Sequence, residues 1–222
     1  MTKPTIAVIG GTGQQGGGLA GRLARAGFRV VIGSRNPAKA EAVADALNVK
    51  TGGSLVTGAD NKTAAAQADI VILTVPFAGQ QETAREIAAA LANKILVDAT
   101  VPLVASDIGK VQLPNAGSAV AALQTALPQT KVVSAFQNVS HVQLQDLDRE
   151  IGCDILVCGN DDDACNTIIE LIAALGMRGY HAGPIENSAA AEALTSVLIA
   201  ISRKYKNWDT GFRITGVKDV EH

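Results

Sequence analysis

An apolar run, TIAVIG at residues 5–10, ends in Gly10-Gly11-Thr12-Gly13-Gln14-Gln15-Gly16, and a helical stretch over residues 14–26 follows at once. Three glycines, Gly11, Gly13 and Gly16, stand in a G-x-G-x-x-G spacing. The strand before and the helix after give that spacing its meaning, because the same glycines without this context are common. Gly11 is expected to permit a tight turn, Gly13 to let a ligand reach the backbone, and Gly16 to let the helix lie close to the strand. The free N–H groups and the dipole of the helix start then favour an anion.

The remaining chain repeats this alternation. Apolar runs at 29–33, 69–75, 94–98, 131–135 and 154–158 read as strands, and residues 177–181 lead into a stop at Ala182-Gly183-Pro184. Their nearly continuous hydrophobicity suits a parallel sheet buried on both faces. Helices are predicted over 14–26, 37–47, 78–92, 117–127, 162–175 and 186–204. The expected fold is therefore α/β, a Rossmann-type doubly wound, mainly parallel sheet with a small C-terminal α/β extension. Residues 1–139 read as a dinucleotide-binding domain and residues 140–222 as a smaller unit packed on it, completing the site. The 37 alanines and seven aromatic residues suit close helix–sheet packing, and make any exposed aromatic a candidate ligand contact.

Charge and composition exclude other classes. Nineteen basic against 21 acidic residues give a net charge of −2, which argues against nucleic acid as a partner. No apolar run of 18 residues is present, so no spanning helix is expected. No small-residue cleavage site follows the first apolar run, and the chain reads as cytoplasmic. Cys153, Cys158 and Cys165 are odd in number and fit no usual zinc spacing, so neither disulfides nor a metal is expected. Asp161-Asp162-Asp163 reads as a helix start.

The end of the second strand selects the dinucleotide. An NAD site calls for a carboxylate there to take the ribose 2′-hydroxyl. This chain has Gly33-Ser34-Arg35-Asn36, with Lys39 four residues after Arg35. Ser34, Arg35 and Lys39 suit a 2′-phosphate, with Thr12 also placed for it, so the reading is NADP(H). The turn Val75-Pro76-Phe77 falls at the nicotinamide end, where Phe77 either stacks on the ring or fills the core. Asp98 reads as the cap of the following turn, with catalysis as the alternative. No Tyr-x-x-x-Lys pair, G-x-S-x-G elbow or H-E-x-x-H motif is present. A hydride partner that manages its own proton, such as a flavin or deazaflavin, fits that absence.

The run AVIGGTGQQGGGLAGRLARAGFRVVIGSRNPAKAE resembles the NADPH-dependent coenzyme F420 reductases, as do ADIVILTVPF, VDATVPL, KVVSAF, CGNDDDA, AGPIENS and TGFRITGV. The resemblance implies hydride transfer between NADP(H) and the deazaflavin F420, with side chains that position rather than exchange protons. It assigns Thr12, Gly13, Gln14 and Gln15 to the pyrophosphate, Ser34, Arg35 and Lys39 to the 2′-phosphate, and Phe77 and Gln81 to the cofactor. The segment Gln137-Asn138-Val139-Ser140-His141 matches one near the paired rings. Gln137, Asn138 and Thr210 are thus candidate substrate contacts, and His141 a cofactor contact with a proton-donor role as its alternative. This segment departs from His-Thr-Ile-Pro-Ala, which archaeal members carry. A flavin (FMN or FAD) or quinone acceptor is therefore the alternative substrate, and an NADPH-binding sensor without turnover the alternative class. Arg203, Lys204 and Lys206 read either as a solvated helix end or as contacts to the acceptor. A homodimer is expected from the apolar C-terminal helix.

Overall fold

The computed structural model describes residues 3–103 and 106–217. Eight strands form one sheet in the order β3-β2-β1-β4-β5-β6-β7-β8. They are β1 Thr5–Ile9, β2 Arg29–Ser34, β3 Val56–Asp60, β4 Ile70–Leu73, β5 Ile95–Asp98, β6 Lys131–Ser134, β7 Asp154–Gly159 and β8 Arg178–His181. Every pairing is parallel except β6 with β7. The order reverses between β1 and β4, which opens a crevice beyond their carboxyl ends.

The helices are α1 Gln14–Arg25, α2 Pro37–Thr51, α3 Asn61–Gln67, α4 Phe77–Ile87, α5 Ala119–Ala126, α6 His141–Gln145, α7 Asp162–Ala174 and α8 Ser188–Tyr205. Two separate cores divide them by face. Ile6 and Val8 of β1 pack with Leu19 and Leu23 of α1, Ala40 of α2 and Ile168 of α7. Ala7 and Ile9 point the other way, to Ala64 of α3, Ile87 of α4 and Leu123 of α5. The period of two along one buried strand thus feeds both layers. Cys153, Cys158 and Cys165 are buried free thiols, and burial pushes Cys158 and Cys165 up to about 11. At neutral pH they are unreactive packing groups.

The sequence pattern misses β3, α3 and α6, and leaves β8 unassigned. β3 has only one large apolar residue, Val56, and its middle residue is Gly58. A side-chain carbon at Gly58 would sit 2.6 Å from Glu41 Cα and closer still to neighbouring backbone atoms of α2. The missing side chain is what lets α2 cross β3. α3 holds by its cap, since the Asp60 carboxylate accepts hydrogen bonds from Thr63 N and Thr63 Oγ1. The expected helix over 78–92 is shorter, because α4 gives way to a 3-10 turn at Ala88–Ala90. α2 runs four residues further than expected and stops at Gly52, whose φ is +70°. The Asp161 side chain accepts from Ala164 N and starts α7. Gly58→Ala should destabilise the protein by about 1–3 kcal/mol, the range for inserting a methyl group into a packed contact. Urea unfolding measures it, and a loss below about 0.5 kcal/mol would show that α2 can move away from β3 freely.

Candidate active site

The carboxyl ends of β1, β2, β4, β5 and β6 open into one cleft of about 1000 Å³, closed on its far side by α8. At one end the chain turns from β1 into α1. Gly10 takes the left-handed φ of +83°, and its N–H donates to the Gly33 carbonyl at 3.0 Å. The tight turn expected at Gly11 therefore rests on Gly10. Gly11 is required for another reason, since a side-chain carbon there would lie 2.8 Å from the Val8 carbonyl oxygen. At Gly16 it would lie 2.8 Å from both the Gly10 oxygen and Gly11 Cα, so only glycine lets α1 sit this close to the loop. Gly13 is the N-cap of α1, with no side-chain cap and no acidic residue in the first turn. The helix start is thus left without a protein partner of negative charge, which is the condition for holding an anion.

Thr12, Gly13, Gln14 and Gln15 line the cleft; Gly11 and Gly16 lie behind them. The Gln15 side chain is committed elsewhere, because its Nε2 donates to the Phe136 carbonyl at 3.1 Å. Ser34, Arg35 and Lys39 line the same end, Arg35 and Lys39 being exposed. Their geometry follows from the cap of α2. Ser34 Oγ accepts from Asn36 N, and the Asn36 side chain accepts from Lys39 N. Val75, Pro76 and Phe77 form the middle of the wall. Phe77 is half-buried and belongs to neither core. Gln81 is half-buried on α4 and does not line the cleft, because α4 turns it away from the β4 end.

Gln137, Asn138, His141 and Thr210 meet at the other end. Two amide nitrogens there serve the fold. Gln137 Nε2 donates to the Asp98 carbonyl at 2.7 Å and to Ser134 Oγ at 2.9 Å. Asn138 Nδ2 donates to the Ala191 carbonyl at 2.7 Å and to Thr195 Oγ1 at 3.0 Å, tying the β6 exit to α8. Gln137 Oε1 remains buried without a protein partner. Thr210 Oγ1 donates to the Leu198 carbonyl and is paired with Ser202 Oγ. His141 is the half-buried first residue of α6, which Ser140 caps.

Asp98 stands behind this wall. It is fully buried, does not line the cleft, and accepts from Thr100 N at 2.9 Å and from Gln80 Nε2. It caps the turn after β5. Burial pushes its carboxyl up to about 6, against the pull of those hydrogen bonds. Glu192 on α8, raised in the same direction by burial, accepts from Ala119 N, Val120 N and Ser118 Oγ at the start of α5.

Several cleft residues escaped the sequence reading. Thr195 and Thr100 carry no motif. Phe136 holds a left-handed φ of 71°, costly for a bulky residue, and that conformation has no sequence mark. Trp208, 56% exposed at the cleft mouth, is the only tryptophan in the chain, and that rarity was the signal.

Residues 5–102 match the family described as NADP oxidoreductase, coenzyme F420-dependent. The chain is 42% identical to the F420-dependent NADP reductase of Methanocaldococcus jannaschii, over 96% of this chain and 99% of that one. It is 38% identical to the enzyme of the same name from Methanothermobacter thermautotrophicus, over 97% of each. A solved structure from an Arthrobacter species, described as a candidate F420-dependent NADP reductase, superposes with a TM-score of 0.82 at 28% identity. It covers 96% of this chain and 100% of that one.

The buried Asp98 makes a pH prediction. With its carboxyl raised to about 6, the native state keeps a proton that the unfolded chain has already released above its ordinary 3.8. Stability therefore falls as pH rises from about 4 to 6 and levels off above. Asp98→Asn removes that proton, and its Nδ2, at the position of Oδ2, donates to Gln80 Oε1 once the Gln80 amide turns over. The loss of unfolding free energy between pH 4 and pH 7 should shrink by roughly 2–3 kcal/mol in the variant. Urea titrations at both pH values test this, and equal losses in the two proteins would contradict it.

Proposed function

The chain belongs to the F420-dependent NADP reductase family, and we propose that it transfers a hydride between NADP(H) and coenzyme F420 within the single cleft. One observation carries this reading: the uncapped start of α1, with Arg35 and Lys39 beside it, shares a continuous wall with Gln137, Asn138 and α8. The first end suits NADP(H). The glycines at 11 and 16 make a cradle that side chains would fill, and no carboxylate ends β2. Thr12 to Gln15 would hold the pyrophosphate, Ser34, Arg35 and Lys39 the 2′-phosphate. Val75 to Phe77 would flank the nicotinamide. At the second end, the unpartnered Gln137 Oε1 supports a ligand that brings an N–H donor. We read residues 1–139 as the NADP-binding part and residues 140–222 as the part that completes the acceptor side.

When bound, the two cofactors supply the chemistry by exchanging a hydride between nicotinamide and deazaflavin rings. The protein binds, orients and excludes water. Among the described residues lining the acceptor half, His141 is the titratable side chain, and Asp98 lies behind the wall. Positioning alone lowers such a barrier by several kcal/mol. The relatives' names do not favour a flavin, a quinone or a sensor without turnover. We also read the protein as a cytoplasmic homodimer. Val197, Ile201 and Tyr205, exposed at helical spacing on α8, support the dimer, and no helix among the described residues is long and apolar enough to cross a membrane.

NADPH oxidation assayed with F420, FMN, FAD and a quinone tests the reading. F420 should turn over at least tenfold faster than the others, and His141→Ala should lower kcat less than about a hundredfold, the low end for a general acid or base. No reduction of F420 would overturn the function. A thousandfold drop in His141→Ala with NADPH binding intact would make His141 the proton donor.

A further inference from the structure

The acceptor end of the cleft carries cations that hydride transfer does not use. Arg203, Lys204 and Lys206 close α8 and are all exposed, and no carboxylate among the described residues lies within ion-pair distance of any of them. Asp209, the nearest carboxylate in sequence, is engaged by Arg149 at 2.8 Å. Arg203 and Lys206 stand at the cleft mouth, between Ser202 and Trp208 in sequence, which both line the cleft. Lys204, roughly 200° around α8 from Ser202, falls on the opposite face with exposed Ile201 and Tyr205. Lys206, at a left-handed φ of 52°, ends the helix and sends the chain toward Trp208. The loop carrying exposed Lys110 lies against the same stretch of α8, with Arg203 Nη1 3.8 Å from where a side-chain carbon would stand at Gly109. The next residue of that loop toward the N-terminus, Ile108, lines the cleft as well. A chain of net charge −2 thus keeps, at both ends of one cleft, cations with no ion-pair partner among the described residues, Arg35 and Lys39 at the first and this rim at the second.

We propose that Arg203, Lys206 and Lys110 form a subsite for the acidic tail of the acceptor, holding its phosphodiester and terminal carboxylates outside the cleft while the ring lies within. The proposal rests on F420 being the acceptor. Its consequence is selectivity: a flat ring alone is recognised by the inner wall, and the charged tail decides which ring-bearing molecule is captured. Cations at a helix C-terminus also complement the helix dipole. That role acts on stability alone and leaves acceptor binding unchanged, so the two are separable. Exposed charges act over about a Debye length, and added salt should weaken capture of the tail.

The test uses the double variant Arg203→Gln, Lys206→Gln and two acceptors, F420 and the same deazaflavin ring bearing only its ribityl chain. In the wild type, KM for F420 should lie at least tenfold below that for the tail-free ring and should rise between 50 and 500 mM salt (roughly a threefold change in Debye length). In the variant, KM for F420 should rise about tenfold and lose most of its salt dependence, with kcat and the tail-free KM within twofold of wild type. A melting midpoint near wild type verifies that the variant is folded. Lys204→Gln alone should leave KM for F420 within twofold of wild type, since that side chain lies on the opposite face of α8. A tenfold rise there would show that bulk charge and not a rim subsite sets the KM. Equal KM values for the two acceptors in the wild type would overturn the subsite, as would an unchanged F420 KM in the variant. A wild type that reduces neither acceptor would overturn the functional reading, and the subsite with it.

Discussion

The start of α1 is the point on which the rest of the structure depends. A helix whose first turn has neither a side-chain cap nor an acidic residue carries unpaired N–H groups that a folded protein must satisfy somehow. Here glycine at 10, 11 and 16 presses that turn onto the ends of β1 and β4, where the strand order reverses. The first turn has no side-chain cap and no acidic residue of its own, and we read an anionic ligand as its partner.

The same helix also fixes the opposite wall. Arg22, buried on α1, donates to four carbonyls of the segment after β6: Leu144 at 3.1 Å, Gln143 at 2.8 Å, Asp146 at 2.6 Å and Arg149 at 2.8 Å. Gly18 lets α6 approach, since a side-chain carbon there would lie 2.7 Å from Leu144 Cβ. Gln15 reaches the Phe136 carbonyl from the first turn. On our reading one element would seat the phosphate end, and it anchors the segment that bears His141. Both rings would be placed by reference to α1, which suits chemistry that depends on distance more than on proton transfer. From behind, Asn138 and Glu192 tie α8 to β6 and α5, so the acceptor wall is braced on two sides.

The parts legible in sequence were those with strong local signals. Six buried strands are apolar runs, and the G-x-G-x-x-G spacing with Ser34 and Arg35 marks one end of the cleft. β3 was hidden because tertiary packing, not its own composition, makes it a strand: Gly58 serves α2, and pairing with β2 supplies its hydrogen bonds. α6 was hidden because five residues are too few for a period, and Arg22 holds it from a distant segment. Gln137, Asn138 and His141 entered the sequence reading only through a resemblance. Gln137 and Asn138 look like ligand-binding amides in sequence, yet their nitrogens brace the backbone, and only the long-range partners reveal that.

The central claim is that the bare start of α1 at Gly13 seats the pyrophosphate. Gly13 has an ordinary φ of −88°, and a side-chain carbon there would meet only the Gly10 carbonyl, at 3.3 Å. Valine fits here if the Gly10 carbonyl shifts by roughly a few tenths of an ångström, and its branches would occupy the approach to the helix start. Calorimetric titration of Gly13→Val with NADPH and with NADH is the most direct measurement. The account predicts that binding of both is lost while the melting midpoint stays within a few degrees of wild type. Wild-type affinity for NADPH in the folded variant would contradict it.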